Sequence, residues 1–137
     1  MRYWLMKSEP DVWSFADQMA KSPAGEEWHG IRNYQARNNM RAMEIGDLAF
    51  FYHSNIGKEI VGIAEIIALS HPDSTTDDPR WDCVDIRGLK PLPQHVTLAT
   101  CKTDPRLADM ALVKSTRLSV QPVTPEEWQI VCSLGGL

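Results

Sequence analysis

The sequence predicts an α+β fold in which a small curved β-barrel of about five to six strands is flanked by helices. Three observations predict it. Five short apolar or alternating runs read as strands, helix start signals fall between and after them, and the composition is that of an ordinary globular chain. At 137 residues, with 43% hydrophobic and 23% charged residues, the chain has the usual size of one domain with one modest core. Residues 1–137 are therefore expected to form a single domain.

The strand runs are Tyr3 to Met6, Leu48 to His53, Ile60 to Leu69, Trp81 to Leu89 and Arg117 to Pro122. In Phe50-Phe51-Tyr52-His53 successive side chains alternate across the strand, so either Phe51 and His53 or Phe50 and Tyr52 face inward. Gly57, within Ser54-Asn55-Ile56-Gly57-Lys58, marks a turn that joins two of these strands as a hairpin.

Helices are expected from Pro10-Asp11-Val12 into Trp13, Phe15 and Met19, over Asn33 to Met43, over Thr97 to Cys101, and from Thr124 onward. The last is the best defined. Thr124 caps the backbone, Pro125 suits the first helical position, and Glu127 completes a capping box. Trp128, Val131 and Cys132 then recur at helical spacing, which predicts packing on the sheet. Asp104-Pro105 predicts a further short helical turn. The Pro72 to Pro79 segment is the clear loop, and no internal repeat is present.

Composition also excludes classes of function. No apolar run approaches the roughly 20 residues that span a bilayer, and the start is too short for a signal-peptide core, so a cytoplasmic protein is expected. Cys83, Cys101 and Cys132 are an odd number without CxxC spacing, which predicts reduced, mostly buried thiols rather than disulfides or a zinc site. A net charge of -4 argues against coating long duplex DNA, whose affinity scales with cationic contacts. It leaves room for a small basic face, because Arg32, Arg37 and Arg41 fall together with no acid until Glu44. No surface stripe separates from core, and a monomer is the default expectation.

The stretch from Trp28 to Asn39 holds two aromatics, two arginines, three asparagines and a glutamine. Asn is a poor helix-interior residue, because its amide competes for backbone hydrogen bonds. Amides and guanidinia beside flat rings suit recognition of a base. Trp28, Trp81, Tyr34 and Tyr52 could supply faces, and Asn33, Ser8, Glu9, His53, Ser54 and Asn55 edge contacts. Arg32, Arg37 and Lys7 would then meet phosphates.

Ordinary readings stand beside these. Trp4, Trp13 and Trp128 sit at core-facing periods and are expected to pack. Trp81 divides evenly between core and pocket. Asn38 and Asn39 suit local backbone bonding, and Arg41 suits solvated surface. His29 and His53 lack carboxylate spacing, so no metal is expected. Ser8, Glu9 and His53 can be written as a hydrolytic triad, but a triad is defined by positions in space. No GxSxG, HExxH, P-loop or GxGxxG motif occurs.

These motifs resemble the EVE domain family, the thymocyte nuclear protein-like group of the PUA-like superfamily. The resemblance rests on Tyr3-Trp4-Leu5-Met6-Lys7-Ser8-Glu9-Pro10, on Trp28 to Met43, on Gly46-Asp47-Leu48 through Phe51-Tyr52-His53-Ser54-Asn55, on Val61-Gly62-Ile63-Ala64-Glu65, on Arg80-Trp81-Asp82 with Val84-Asp85, and on Arg117 to Trp128. It spans nearly the whole chain. It implies a curved barrel with flanking helices, related to YTH domains, that reads modified bases of DNA or RNA in an aromatic and polar pocket without catalysis or cofactor. It places Lys7, Ser8 and Glu9 at the pocket edge and Trp28 at a cage wall. Tyr52, His53, Ser54 and Asn55 match the family's strand-end block, and Arg32, Asn33, Tyr34 and Arg37 its helix-start block; Arg41 joins the implied backbone contacts. Ser70 to Pro79 replaces a longer insertion common in the family, which leaves the second cage wall open, with Trp81 a candidate. Rival expectations are a small hydrolase using His53, Ser8 and Glu9, and a binder of a free nucleoside-like molecule.

Overall fold

The computed structural model describes residues 1–137. Six strands form one curved sheet: β1 (Tyr3–Ser8), β2 (Glu26–Glu27), β3 (Leu48–His53), β4 (Glu59–Pro72), β5 (Asp82–Thr97) and β6 (Val120–Val123). Their order is β2-β5-β4-β3-β1-β6. β1 and β3 run parallel, and every other pair is antiparallel. The terminal strands β2 and β6 do not pair, so the sheet curves without closing into a barrel. Four register shifts along the β4–β5 pair and one between β3 and β4 produce the bending.

Helices cover both faces. α1 (Phe15–Ala20) and α2 (Tyr34–Ala42) lie on one, where Trp4, Met6, Phe15, Trp28, Met40 and Phe51 form a core. The other core joins Leu5, Phe50, Tyr52, Leu107, Met110 and Trp128, and draws on α3 (Leu98–Thr103), α4 (Ala111–Lys114) and α5 (Pro125–Leu134). Both sides of β3 are therefore inward. Phe50 stacks on Trp128 at 3.9 Å on one face, while Phe51 meets Trp28 edge-on at 5.5 Å on the other.

The expected capping box holds α5 as read from Thr124 and Glu127, and Asn33 and Thr97 cap α2 and α3 through their side chains. β3 has the expected bounds, and the Gly57 turn joins it to antiparallel β4. The Asp104-Pro105 signal is a 3-10 turn, Pro105–Leu107. β5 extends well beyond the expected end at Leu89, through Pro91 and Pro93. Those prolines fall past the short pairing with β2, where the outer edge of β5 carries no strand and lost donors cost little. β2 and α4, of two and four residues, carry too little pattern to be read from sequence.

All three cysteines are free; Cys83 and Cys101 are buried and Cys132 is half-buried. No helix is long and apolar enough to cross a membrane.

Gly62 in β4 has no room for a side chain, since a Cβ there would overlap the Phe15 ring. Phe15 opens α1 and packs edge-on against Phe51. Gly62→Ala is expected to destabilise the protein by about 1–3 kcal/mol through overpacking, read as a lowered midpoint of denaturant unfolding.

Candidate functional site

β1 and β3 run parallel and end together, pairing Ser8 with His53. Polar residues appear at that end because the strand interiors are committed to two cores. Beside it lies a pocket of about 370 Å³, lined by Lys7 and Ser8 from β1, Val12 and Trp13 from the turn before α1, Glu26 and Glu27 from β2, and Trp28, His29 and Ile31 beyond it. This volume lies in the range of small-ligand sites. The pocket joins two indoles to an ammonium, a hydroxyl and two carboxylates.

Each wall is fixed locally. The Trp28 backbone N–H donates to the Val84 carbonyl at 2.8 Å, and the residue is 7% exposed. The Trp13 indole N–H donates to Gln18 Oε1 at 2.9 Å, and Ser8 Oγ donates to the Trp13 carbonyl at 2.6 Å. Sequence periodicity assigned Trp13 to packing. The structure packs it half-buried against the core and also makes it a pocket wall, because the chain turns through residues 9–13 before α1 begins; the Val12 and Trp13 N–H groups both donate to the Glu9 carbonyl. Glu9 itself is exposed and does not line the pocket.

Lys7 Nζ donates to the Thr116 carbonyl at 3.0 Å, and burial pulls its pKa down. Hydrogen bonds from Ser74 hold the Glu27 carboxyl below its ordinary range. His53 accepts the Phe15 N–H at Nε2, at 3.1 Å. Burial lowers its pKa, which suits a neutral acceptor. Ser8 and His53 are thus each bonded elsewhere, and His29 lines the pocket without forming a metal group with His53.

The remaining expected residues divide between two neighbouring surfaces. Tyr52, Ser54 and Asn55 line a depression of about 300 Å³ that shares Lys7 with the pocket and adds Lys58, Lys102 and Thr116. A further depression continues past Thr116 to Arg117 and Asn33. Lys7, Lys58, Lys102 and Arg117 form no ion pair, so this path carries uncompensated positive charge. Sequence reasoning gave a binding role only to Lys7 of these cations, because the others lie in separate segments.

Tyr34 and Trp81 lie elsewhere and stack on each other at 5.1 Å. Arg32 and Arg80 sit over the Trp81 ring and Arg37 over Tyr34. Arg32 is paired with Asp73 at 3.0 Å and Arg41 with Asp82 at 2.6 Å. Arg37 donates to the Arg80 carbonyl and to Asn38, while Asn39 donates to the Val120 carbonyl.

Asp73 ties this region together. Its buried carboxylate accepts from the Gly30 N–H at 2.8 Å, from Arg32, and from the N–H and hydroxyl of Thr75. Burial alone would raise its pKa, but these donors outweigh it and hold the carboxyl well below the usual range.

The chain is thus a small α+β protein whose curved, open sheet carries a polar and aromatic pocket at its parallel strand ends. The family model described as EVE domain matches residues 2–134, and the chain belongs to that family. Thymocyte nuclear protein 1 of Mus musculus is 37% identical over 164 aligned residues, covering 96% of this chain and 73% of the relative. That alignment is longer than the 137-residue chain, so the relative carries insertions.

A crystal structure of an Agrobacterium tumefaciens protein superposes with a TM-score of 0.99 at 62% identity, covering 100% of this chain and 94% of that one. Human THYN1, solved in complex with 5-methylcytosine containing DNA, superposes with a TM-score of 0.92 at 36% identity, covering 100% and 99%. A YTH domain of Zygosaccharomyces rouxii reaches 0.59 at 17% identity over 98% and 86% of the two chains, a likeness of fold alone.

Because the folded pKa of Asp73 is depressed, its stabilisation is present above the unfolded value of about 3.9 and is lost as pH falls toward the folded one. Asp73→Asn is expected to cost about 1–3 kcal/mol at pH 7, with the gap from wild type narrowing below about pH 4. Denaturant midpoints at pH 7 and pH 3 check it.

Proposed function

We propose that this protein is a non-catalytic reader that takes a modified nucleobase of DNA or RNA, flipped or single-stranded, between Trp13 and Trp28. The observation that carries this reading is the pairing of two indoles with Lys7, Ser8 and two carboxylates in one pocket. It is supported by the human THYN1 complex with 5-methylcytosine containing DNA, from a relative at 36% identity.

Stacking on an indole would be worth about 1–3 kcal/mol per base, with half-buried Trp13 presenting more surface than Trp28, which is 7% exposed. Glu26 would accept from an exocyclic amine, and Lys7 would donate to a base carbonyl or phosphate. Val12 and Ile31 offer apolar contact to an added methyl, worth on the order of 1 kcal/mol. Discrimination by the methyl alone is therefore about fivefold, and greater selectivity requires a polar contact at the modified edge.

The nucleic acid's backbone would leave the pocket over Lys7 toward Tyr52, Ser54 and Asn55, with Lys58 and Lys102 beside it. Asn33 would meet it further along, and Tyr34 with Trp81, Arg32, Arg37 and Arg41 offers a second contact face. Ser8 and His53 are bonded to the Trp13 carbonyl and the Phe15 N–H, which supports a structural role for them in this reading. We place the protein in the cytoplasm as a monomer.

Trp28→Ala and Trp13→Phe separate a cage from mere packing. Trp28→Ala is expected to weaken binding of an oligonucleotide carrying 5-methylcytosine by about tenfold or more, while Trp13→Phe, which keeps a flat ring, loses less. Intrinsic fluorescence titration against matched modified and unmodified oligonucleotides reads both, with circular dichroism confirming the fold. Equal, weak binding of all oligonucleotides by the wild type would overturn the reading.

A further inference from the structure

Three adjacent strands bring four metal-ligating groups to one face at the sheet's β2 edge. Glu27 of β2 pairs with Asp85 of β5, and His71 of β4 pairs with Cys83 of β5. Cys83 and Asp85 are two residues apart, so their side chains share that face. The donor atoms of all four residues lie within 4.8 Å of one another. Residues 27, 71, 83 and 85 have no metal-like spacing in sequence; strand register alone assembles them.

We propose that Glu27, His71, Cys83 and Asp85 bind one divalent ion of the zinc type. A thiol and an imidazole beside two carboxylates favour zinc over magnesium or calcium, which take oxygen ligands. Tetrahedral zinc, with bonds of about 2.0–2.3 Å, sets its ligands about 3.3–3.8 Å apart. The cluster needs to contract by only about 1 Å from its present span of 4.8 Å to meet that geometry. Cys83 is fully buried, while His71 and Asp85 keep about a third of their side-chain surface open, 34% and 35%, leaving a way in for an ion.

The surrounding bonds already orient the ligands. His71 Nδ1 lies 3.1 Å from the Pro72 carbonyl, the partner that fixes a ligating imidazole through its other nitrogen. Nε2, now 2.7 Å from Asp85 Oδ1, would turn to the ion. Ser74 donates to Glu27 Oε1 through both its N–H and its hydroxyl, leaving Oε2 for coordination. On binding, the Cys83 thiol releases its proton to solvent, His71 ligates as the neutral imidazole with its proton on Nδ1, and Asp85 exchanges its imidazole hydrogen bond for the ion.

Such an ion would fasten the two-residue strand β2 to β5 and to the end of β4. Glu27 immediately precedes Trp28, so the ion would stiffen one wall of the pocket. This inference does not depend on what the pocket binds.

Cobalt(II) is the probe, titrated into the full chain after chelator treatment. The expected result is a one-to-one complex with a near-ultraviolet thiolate-to-cobalt charge-transfer band and visible bands of tetrahedral intensity, bleached by zinc. Cys83→Ser should abolish the charge-transfer band and Cys132→Ser should leave it intact. Glu27→Gln, with an unchanged far-ultraviolet circular dichroism spectrum, should weaken cobalt binding at least tenfold and guards against misfolding of the Cys83 variant. Zinc should also raise the wild-type Tm. Absence of the band in wild type, its persistence in Cys83→Ser, or undiminished binding by Glu27→Gln would overturn the proposal.

Discussion

The constraint from which the rest of the architecture follows is burial of the central strands on both faces. Leu5 and Phe50 enter one core while Trp4, Met6 and Phe51 enter the other, so β1 and β3 have no solvent face to carry polar chemistry. A parallel pair buried on both sides is the usual environment for such strands. The chain therefore turns polar only where these strands stop. Lys7, Ser8, His53 and Ser54 gather there because nowhere else on the pair can hold them.

That constraint explains which parts of the molecule were legible in the sequence. β3 was readable to its ends because the Phe50 to His53 run is bounded by a glycine turn, and α5 because Thr124, Pro125 and Glu127 state its start chemically. The orientation of β3 could not be chosen from alternation, since both choices are inward. The end of β5 was hidden because prolines signal a break unless the strand's outer edge is known to be free. Trp28 stood out by its polar neighbours. Trp13 did not, because its spacing to Phe15 and Met19 resembles a helix face, and only the turn before α1 exposes it to the pocket. The cluster of Glu27, His71, Cys83 and Asp85 left no trace in spacing, because register across three strands creates it.

Asp73 shows how a short loop can organise a larger surface. Its carboxylate gathers Gly30 and Arg32 on one side and Thr75 on the other. The segment that follows Trp28 is thereby bonded to the loop between β4 and β5, and Ser74 extends the connection to Glu27. Residues 27–32 and 73–75 are then one unit, although neither segment is a regular element for most of its length. The short Ser70 to Pro79 connection reaches the pocket through the Ser74 bonds to Glu27.

The distribution of charge adds a property that no single contact supplies. The chain is acidic overall, with a net charge of -4, yet Lys7, Lys58, Lys102 and Arg117 stand without anionic partners along one path. A polyanion meets a net negative charge over the body as a whole, and one approaching this path meets attraction along a groove. The body of the protein thus serves as an orienting field. Encounters are sorted by direction before any aromatic ring is touched, and raising the ionic strength would erase that sorting sooner than it erased the fit of the pocket itself.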